Sequence, residues 1–230
     1  MLALALCAQA AVAGEELIST AVQADGEPVP YILNANNATP RYVVILFPGG
    51  SGRVDPRMVG GKLVYGFQGN FLLRTRRLLV DDEFATVTTN TTQSEERIQA
   101  VLDDVKRRFA AARVYVMGTS NGTAATMALA DYLSGRVAGE IHTSSLLEIR
   151  RFDTRRYKNR HLIVHHKEDI CRATPYFAAE EAHRKYGTDF IAMEGGISVG
   201  DPCEAFSHHG YNGIERQTID AIKKWVRQGG

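Results

Sequence analysis

The sequence predicts an α/β fold: a mostly parallel, twisted sheet with helices on both faces, entered through an N-terminal antiparallel hairpin. Three features point to it. Short apolar runs alternate with longer segments whose apolar residues recur every three to four positions, which is the strand and helix alternation of parallel sheets. RYVVILF (41–47) is almost continuously apolar, as a strand covered on both faces reads. The first two runs flank Asp25-Gly26, a dipeptide suited to a tight antiparallel connection.

Taken in order, LISTAVQADGEPVPYIL supplies the hairpin and RYVVILF (41–47) the first strand buried on both sides. FATVTTN, RVYVMG, GEIHTSS, HLIVHH and DFIAME repeat the type. Between them, SEERIQAVLDDVKRRFA spaces Ile98, Val101, Leu102, Val105 and Phe109 along one helical face. Ser94 is placed to cap it, with Glu95 and Glu96 at its positive end. In TPYFAAEEAHRKYG, Thr174 stands as N-cap, Pro175 at the first helical position and Gly187 just past the last. Asn212 and Glu215 have the spacing of a capping box before a helix that carries Ile219, Ile222 and Val226 on one face. No repeat, low-complexity tract or linker divides the chain, so one domain is expected over residues 14–230. Too few residues lie between GEIHTSS and HLIVHH for a cap domain, which predicts an open site able to admit bulky or extended substrates.

Composition narrows the partners. Lys+Arg 27 against Asp+Glu 26 gives a formal charge of +1, so no chain-wide field attracts phosphate backbones or anionic lipid, and nucleic acid is not an expected partner. The start, MLALALCAQAAVAGEE, reads as an export leader over residues 1–13 that ends in the small-x-small pattern Ala11-Val12-Ala13. It has no basic n-region, so the leader is truncated or atypical; a short buried helix is the other reading. No later apolar run is long enough to span a membrane. A secreted or periplasmic location is therefore expected. Cleavage removes Cys7 and leaves Cys171 and Cys203, two cysteines that would pair in an oxidising compartment.

Active sites in such sheets gather at the carboxyl ends of the strands. Four stretches fall there. Gly118-Thr119-Ser120-Asn121-Gly122 sits between a strand and a helix; small residues two positions either side of a serine permit a turn too tight for a Cβ, with the hydroxyl exposed beside free helix amides. LFPGGSGR (46–53) is a glycine loop after a strand whose backbone can aim an amide at a bound carbonyl; Gly50 is the first choice and Ser51 the second. It lacks the Lys-Ser/Thr ending of a phosphate-binding loop. HLIVHHKEDICRATP places Asp169 after a strand, where a carboxylate can orient an imidazole, with Glu168 beside it and Asp153 as a more distant candidate. DPCEAFSHHGYNGIE carries His208 and His209 before the last helix, and spacing alone does not choose between them.

These stretches resemble the α/β-hydrolase superfamily over nearly the whole chain, in the order Ser, Asp, His. The resemblance implies an α/β-hydrolase fold without a cap domain and selects His209, because His209-Gly210-Tyr211 matches the His-Gly-aromatic step into the last helix. Phe47-Pro48-Gly49-Gly50 departs from the frequent His-Gly of the oxyanion loop. The implied chemistry is hydrolysis of a carboxylic ester. Ser120 attacks, His209 moves its proton, Asp169 orients the imidazole, and the amides of Asn121 and Gly50 hold the oxyanion. No cofactor and no metal is required, and the partner is a small-molecule or polymeric ester. A Cys171–Cys203 bond would tie the acid loop to the histidine loop.

Other readings stay open. The same triad serves peptidases and acyltransferases, and a non-catalytic binding protein could keep the fold. A hydrolytic zinc site would draw on one of His165 and His166, which face opposite sides of their strand, with Asp169 and His209. Arg150, Arg151, Arg155, Arg156, Lys158 and Arg160 form either a solvated face or an anion-binding rim.

Overall fold

The computed structural model of the chain describes residues 15–229; the expected leader, with Cys7, lies outside the described residues. β1 (Glu15–Val22) and β2 (Pro28–Ala35) form the hairpin around Asp25-Gly26, paired from Glu15 opposite Ala35 to Val22 opposite Pro28. β3 (Tyr42–Phe47), β6 (Phe84–Thr89), β7 (Arg113–Thr119), β8 (Gly139–Thr143), β9 (Arg160–His166) and β10 (Asp189–Met193) complete an eight-stranded sheet in the order β1-β2-β6-β3-β7-β8-β9-β10. The pairings β1/β2 and β2/β6 are antiparallel, and the rest are parallel. The expected sheet is therefore present, hairpin included.

β3 shows how the sequence builds both layers. Its six residues are all buried, and they alternate between the two faces. Val43, Ile45 and Phe47 join one core with Ile98, Val101 and Val105 of α2 (Glu95–Arg108) and Ala125 and Leu129 of α3 (Gly122–Leu133). Tyr42, Val44 and Leu46 join the other with Phe71 and Leu72 of α1 (Phe71–Leu79) and Ile219, Ile222 and Val226 of α5 (Glu215–Gln228). Burying each such side chain contributes about 1.5–3 kcal/mol relative to leaving it in water. α4 (Tyr176–Tyr186) lays Ala178, Ala179 and Ala182 over Ile163 of β9. Among the described residues no helix is long and apolar enough to cross a membrane.

Ser94 caps α2 as expected, its hydroxyl accepting from the Arg97 amide at 3.2 Å. Gly187 ends α4 in the left-handed conformation. Two expected caps are different. The N-cap of α4 is Pro175, and the Thr174 hydroxyl turns inward to other partners. The capping box of Asn212 and Glu215 does not form: Asn212 donates to the carbonyls of Phe206 and Ile197, while Glu215 accepts from the Gly213 amide and from Arg74. In both cases a tertiary partner outbids the local one. α1 and a small exposed hairpin, β4 (Arg57–Val59) with β5 (Lys62–Val64), answer to no expectation drawn from the sequence.

A buried polar cluster interrupts the layer under α3. Glu140 and His142 of β8 and His161 of β9 lie there with Asn159. Burial pushes Glu140 up to about 8, against the hydrogen bond it accepts from Asn159, and pushes His161 down to about 4. Burial first, and then the neighbouring His161, hold His142 well below the usual imidazole range.

Candidate active site

Chain order puts β6 on one side of β3 and β7 on the other, so the crevice opens beyond the carboxyl ends of β3 and β7. The glycine loop follows β3 and Ser120 follows β7. The elbow is fixed by backbone contact. A Cβ on Gly118 would meet the Gly122 carbonyl oxygen at 2.4 Å, and one on Gly122 would meet that of Phe47 at 2.1 Å. Ser120 itself sits at φ 52°, a left-handed conformation uncommon for a residue with a Cβ. Its amide donates to Thr143 of β8 at 3.1 Å and its carbonyl accepts from the Thr123 amide at 2.8 Å, which hold the turn from both sides.

The loop after β3 wraps this elbow. Gly50 adopts φ +62°, and the Asn121 side chain donates to its carbonyl at 2.9 Å, which ties the two segments together. Among the described residues, the backbone amides of Gly50 and Asn121 have no hydrogen-bond acceptor.

Asp169 is buried in the loop after β9 and holds His209, which stands in a single 3-10 turn (His208–Gly210). His209 Nδ1 lies 3.0 Å from Asp169 Oδ2 and 3.0 Å from Thr174 Oγ1, and the Thr174 hydroxyl donates to the same carboxylate oxygen at 3.0 Å. With acceptors on that side, Nδ1 carries the ring proton and Nε2 keeps its lone pair. The Cys171 amide donates to Asp169 Oδ1 at 2.9 Å, and His165 Nε2 approaches Oδ2 at 3.3 Å. Burial alone would raise this carboxyl; the hydrogen bonds from His165 and then His209 outweigh it and hold Asp169 well below the usual carboxylate range.

The histidine turn is clamped from below. Ser144, at the end of β8, donates its hydroxyl to the His209 carbonyl at 2.7 Å, and its amide donates to the fully buried Tyr211 hydroxyl at 2.9 Å. Tyr211 in turn donates to Val164 of β9 at 2.8 Å. Arg74 of α1 donates to the Gly210 and Gly69 carbonyls and pairs with Glu215 at 3.1 Å. Four of the five non-glycine residues with positive φ, Phe67, Ser120, Ser144 and Tyr211, surround the site. A disulfide joins Cys171 to Cys203, linking the acid loop to the histidine loop.

Ser120 and His209 line one cleft of about 340 Å³ with Gly50, Asn70, Phe67, Phe71 and Phe206. Three phenylalanines, Phe67, Phe71 and Phe206, supply the large apolar side chains of its wall, with Phe67 and Phe206 half exposed. No hydrogen bond joins Ser120 Oγ to His209 among the described residues; in unliganded sites such bonds are often long and tighten when substrate binds. Of the remaining candidates, His165 touches Asp169 and the others point away. His208 stacks on His166 at 4.4 Å, and Asp153 pairs with Arg155 at 2.7 Å on the surface. His165 and His166 do face apart, toward the Thr174 and Gly195 carbonyls. In the basic segment, Arg155 and Arg160 are paired with Asp153 and Asp189. The sequence reading missed Thr174 as a site residue, because its cap spacing explained it, and it missed Phe67, Asn70, Arg74 and Phe206. Only Asn70 carried a signal, as a capping residue before the apolar run of α1, where it accepts from the Leu72 amide at 3.1 Å.

No protein-family model and no curated protein matches the chain. Solved structures do. An α/β serine hydrolase without lid from Xanthomonas campestris is 14% identical with a TM-score of 0.63, covering 92% of this chain and 95% of its own. Est1E from Butyrivibrio proteoclasticus is 16% identical at 0.62, covering 92% and 98%. The esterase domain of a Rhodothermus marinus protein is 13% identical at 0.63, covering 94% and 100%. With the mostly parallel sheet, the strand-to-helix elbow and two short 3-10 turns between β8 and β9, the chain has the α/β-hydrolase fold, with no cap domain among the described residues.

Proposed function

We propose that the protein is a serine hydrolase that cleaves carboxylic esters through an acyl-enzyme, with Ser120 as nucleophile, His209 as general base and acid, and Asp169 as the residue that orients the imidazole. The observation that carries this reading is the meeting, in one cleft, of a serine at positive φ with an imidazole whose Nδ1 is bound by a buried carboxylate. His209 Nε2 takes the Ser120 proton as Oγ attacks the ester carbonyl, then returns it to the leaving alcohol. Asp169 stabilises the imidazolium in between. The amides of Asn121 and Gly50 receive the developing oxyanion, a contribution of about 3 kcal/mol for each such donor. Water attacks the acyl-enzyme by the same path. Phe67, Phe71 and Phe206 suit the apolar part of an ester, and a cleft with no cap segment among the described residues suits small or polymeric substrates alike. The disulfide fits an oxidising compartment, in keeping with a secreted or periplasmic enzyme.

The test is a p-nitrophenyl ester chain-length series with wild type, Ser120→Ala and His209→Ala, together with labelling by a fluorophosphonate. Each substitution should lower kcat by about 10³-fold or more, and label should enter wild type at Ser120. Wild type that neither turns over esters nor takes the label would overturn the proposal.

A further inference from the structure

At the end of the sheet away from the crevice, a second set of residues is arranged for a ligand the triad does not use. Glu140 and His161 are the second residues of β8 and β9, and both side chains are buried under α3 with Asn159. The hydrogen bonds allow an arrangement in which His161 presents a free lone pair. With the Thr126 hydroxyl donating to the Thr123 carbonyl at 3.1 Å, His142 Nδ1, 2.8 Å from that hydroxyl oxygen, is the donor. His142 Nε2 is then an acceptor. His161 Nδ1, 3.2 Å from it, must therefore carry the proton, which leaves His161 Nε2 with a lone pair.

That lone pair has no partner. Neither does Glu140 Oε2 nor Asn159 Oδ1, all three atoms being shut off from solvent. They belong to one cluster, since Asn159 Nδ2 donates to Glu140 Oε1 at 2.7 Å and that oxygen lies 3.8 Å from His161 Nε2. Native interiors rarely leave buried polar atoms unpaired, and each exception asks for an occupant. Once Glu140 gives up its proton to an incoming ion, all three atoms present lone pairs to one point, which is the set of donors a cation takes.

We propose that Glu140, His161 and Asn159 form a binding site for one divalent transition-metal cation of the zinc type, with His142 as the residue that orients the His161 ring. Metal-to-ligand bonds of 2.0–2.2 Å span about 4.2 Å at most, so a single ion bridges the 3.8 Å gap from His161 Nε2 to Glu140 Oε1 without backbone movement. Glu140 and His161 each offer a ligand atom within 4.8 Å of the other. The chain from Thr126 through His142 to His161 is the outer support that imidazole ligands usually have, a partner for the nitrogen that does not bind metal. Imidazole with carboxylate selects zinc-like ions over magnesium or calcium. Phe152 and Tyr157, from the short segment joining β8 to β9, pack their rings 5.5 and 5.3 Å from that of His161 and close the site to solvent. The ion would brace the β8/β9 pair and that segment, independently of whether the triad hydrolyses esters.

The experiment uses the full, tag-free chain stripped with chelator and titrated with Zn2+, then with Co2+ for its visible absorption. Bound zinc per chain is measured after desalting and Tm is followed. Wild type should take up one zinc and melt at higher temperature with it. Glu140→Gln and His161→Gln should each weaken binding at least about tenfold, while Glu168→Gln and His208→Ala, at the other histidine pair, should leave it unchanged. X-ray absorption at the zinc edge of the wild type needs no variant to fold, and it should show one imidazole among oxygen ligands. Wild type that retains no zinc, a first shell without imidazole, or binding lost in His208→Ala and kept in Glu140→Gln would overturn the site.

Discussion

Replacing Gly122 with alanine tests the claim that the elbow is set by backbone packing. The new Cβ would stand 3.0 Å from the Phe47 carbonyl carbon, 3.1 Å from the Pro48 oxygen and only 2.1 Å from the Phe47 carbonyl oxygen, the last more than 1 Å short of an ordinary 3.4 Å contact. No flexible side chain can yield, because all three atoms are backbone at the end of β3. The start of α3 must move away instead. Overpacking a tight interior costs about 1–3 kcal/mol, and contact with fixed backbone belongs at the upper end. Alanine returns up to about 1 kcal/mol in helix propensity. The net expectation is about 2 kcal/mol, which lowers Tm by roughly 4–8 °C in a domain of this size. Movement of α3 also carries the Asn121 amide away from Gly50, which should lower kcat by about 10²-fold. Urea unfolding and ester turnover measure both. Stability within about 0.5 kcal/mol of wild type with unchanged turnover would refute the packing account of the motif.

Further predictions follow from the acid and histidine loops. Thr174→Val removes a hydroxyl bound to both Asp169 and His209, and should cost about 1.5–3 kcal/mol of stability by urea unfolding while lowering kcat more than it raises KM. Because the Asp169 carboxyl is held below its unfolded value of about 3.9, its contribution is fully present above that pH and is lost as pH falls toward the folded value. Stability measured from pH 6 downward should therefore fall more steeply for wild type than for Asp169→Asn. Parallel curves would show that the carboxylate is not stabilised by its partners. Removing the Cys171–Cys203 bond, which closes a loop of sequence separation 32, should cost about 3–4 kcal/mol, and Cys171→Ala with Cys203→Ala should also lower turnover at temperatures where the chain stays folded. Unchanged turnover in the folded double variant would make the disulfide a staple of stability alone.

The strand and helix alternation, the hairpin and the glycine elbow were legible because each depends on short-range chemistry. Continuous apolar runs mark doubly covered strands, and Gly118 and Gly122 mark a turn with no room for a Cβ. Cys171 and Cys203 could be paired by elimination once Cys7 was assigned to the leader. Local spacing failed where a distant partner competed for the same atom. Thr174 and Asn212 both have the residue type and position of a cap, yet the first serves Asp169 and His209 and the second the carbonyls of Phe206 and Ile197. Nothing near Arg74 in the sequence announces that its guanidinium will hold the Gly210 carbonyl.

The sequence by itself determined which residues have the chemistry to act and the order in which they come along the chain. Spacing left two adjacent histidines open and the family resemblance selected His209; only the tertiary structure brings that ring to the carboxylate. His208 turns to stack on His166, while His209 is brought to Asp169 by a turn that is held by Ser144 just past β8, by Arg74 of α1 and, through its own Tyr211, by Val164 of β9. A hydrogen bond needs its partners within about 3 Å, and that proximity between residues 40 apart is a property of packing, not of spacing.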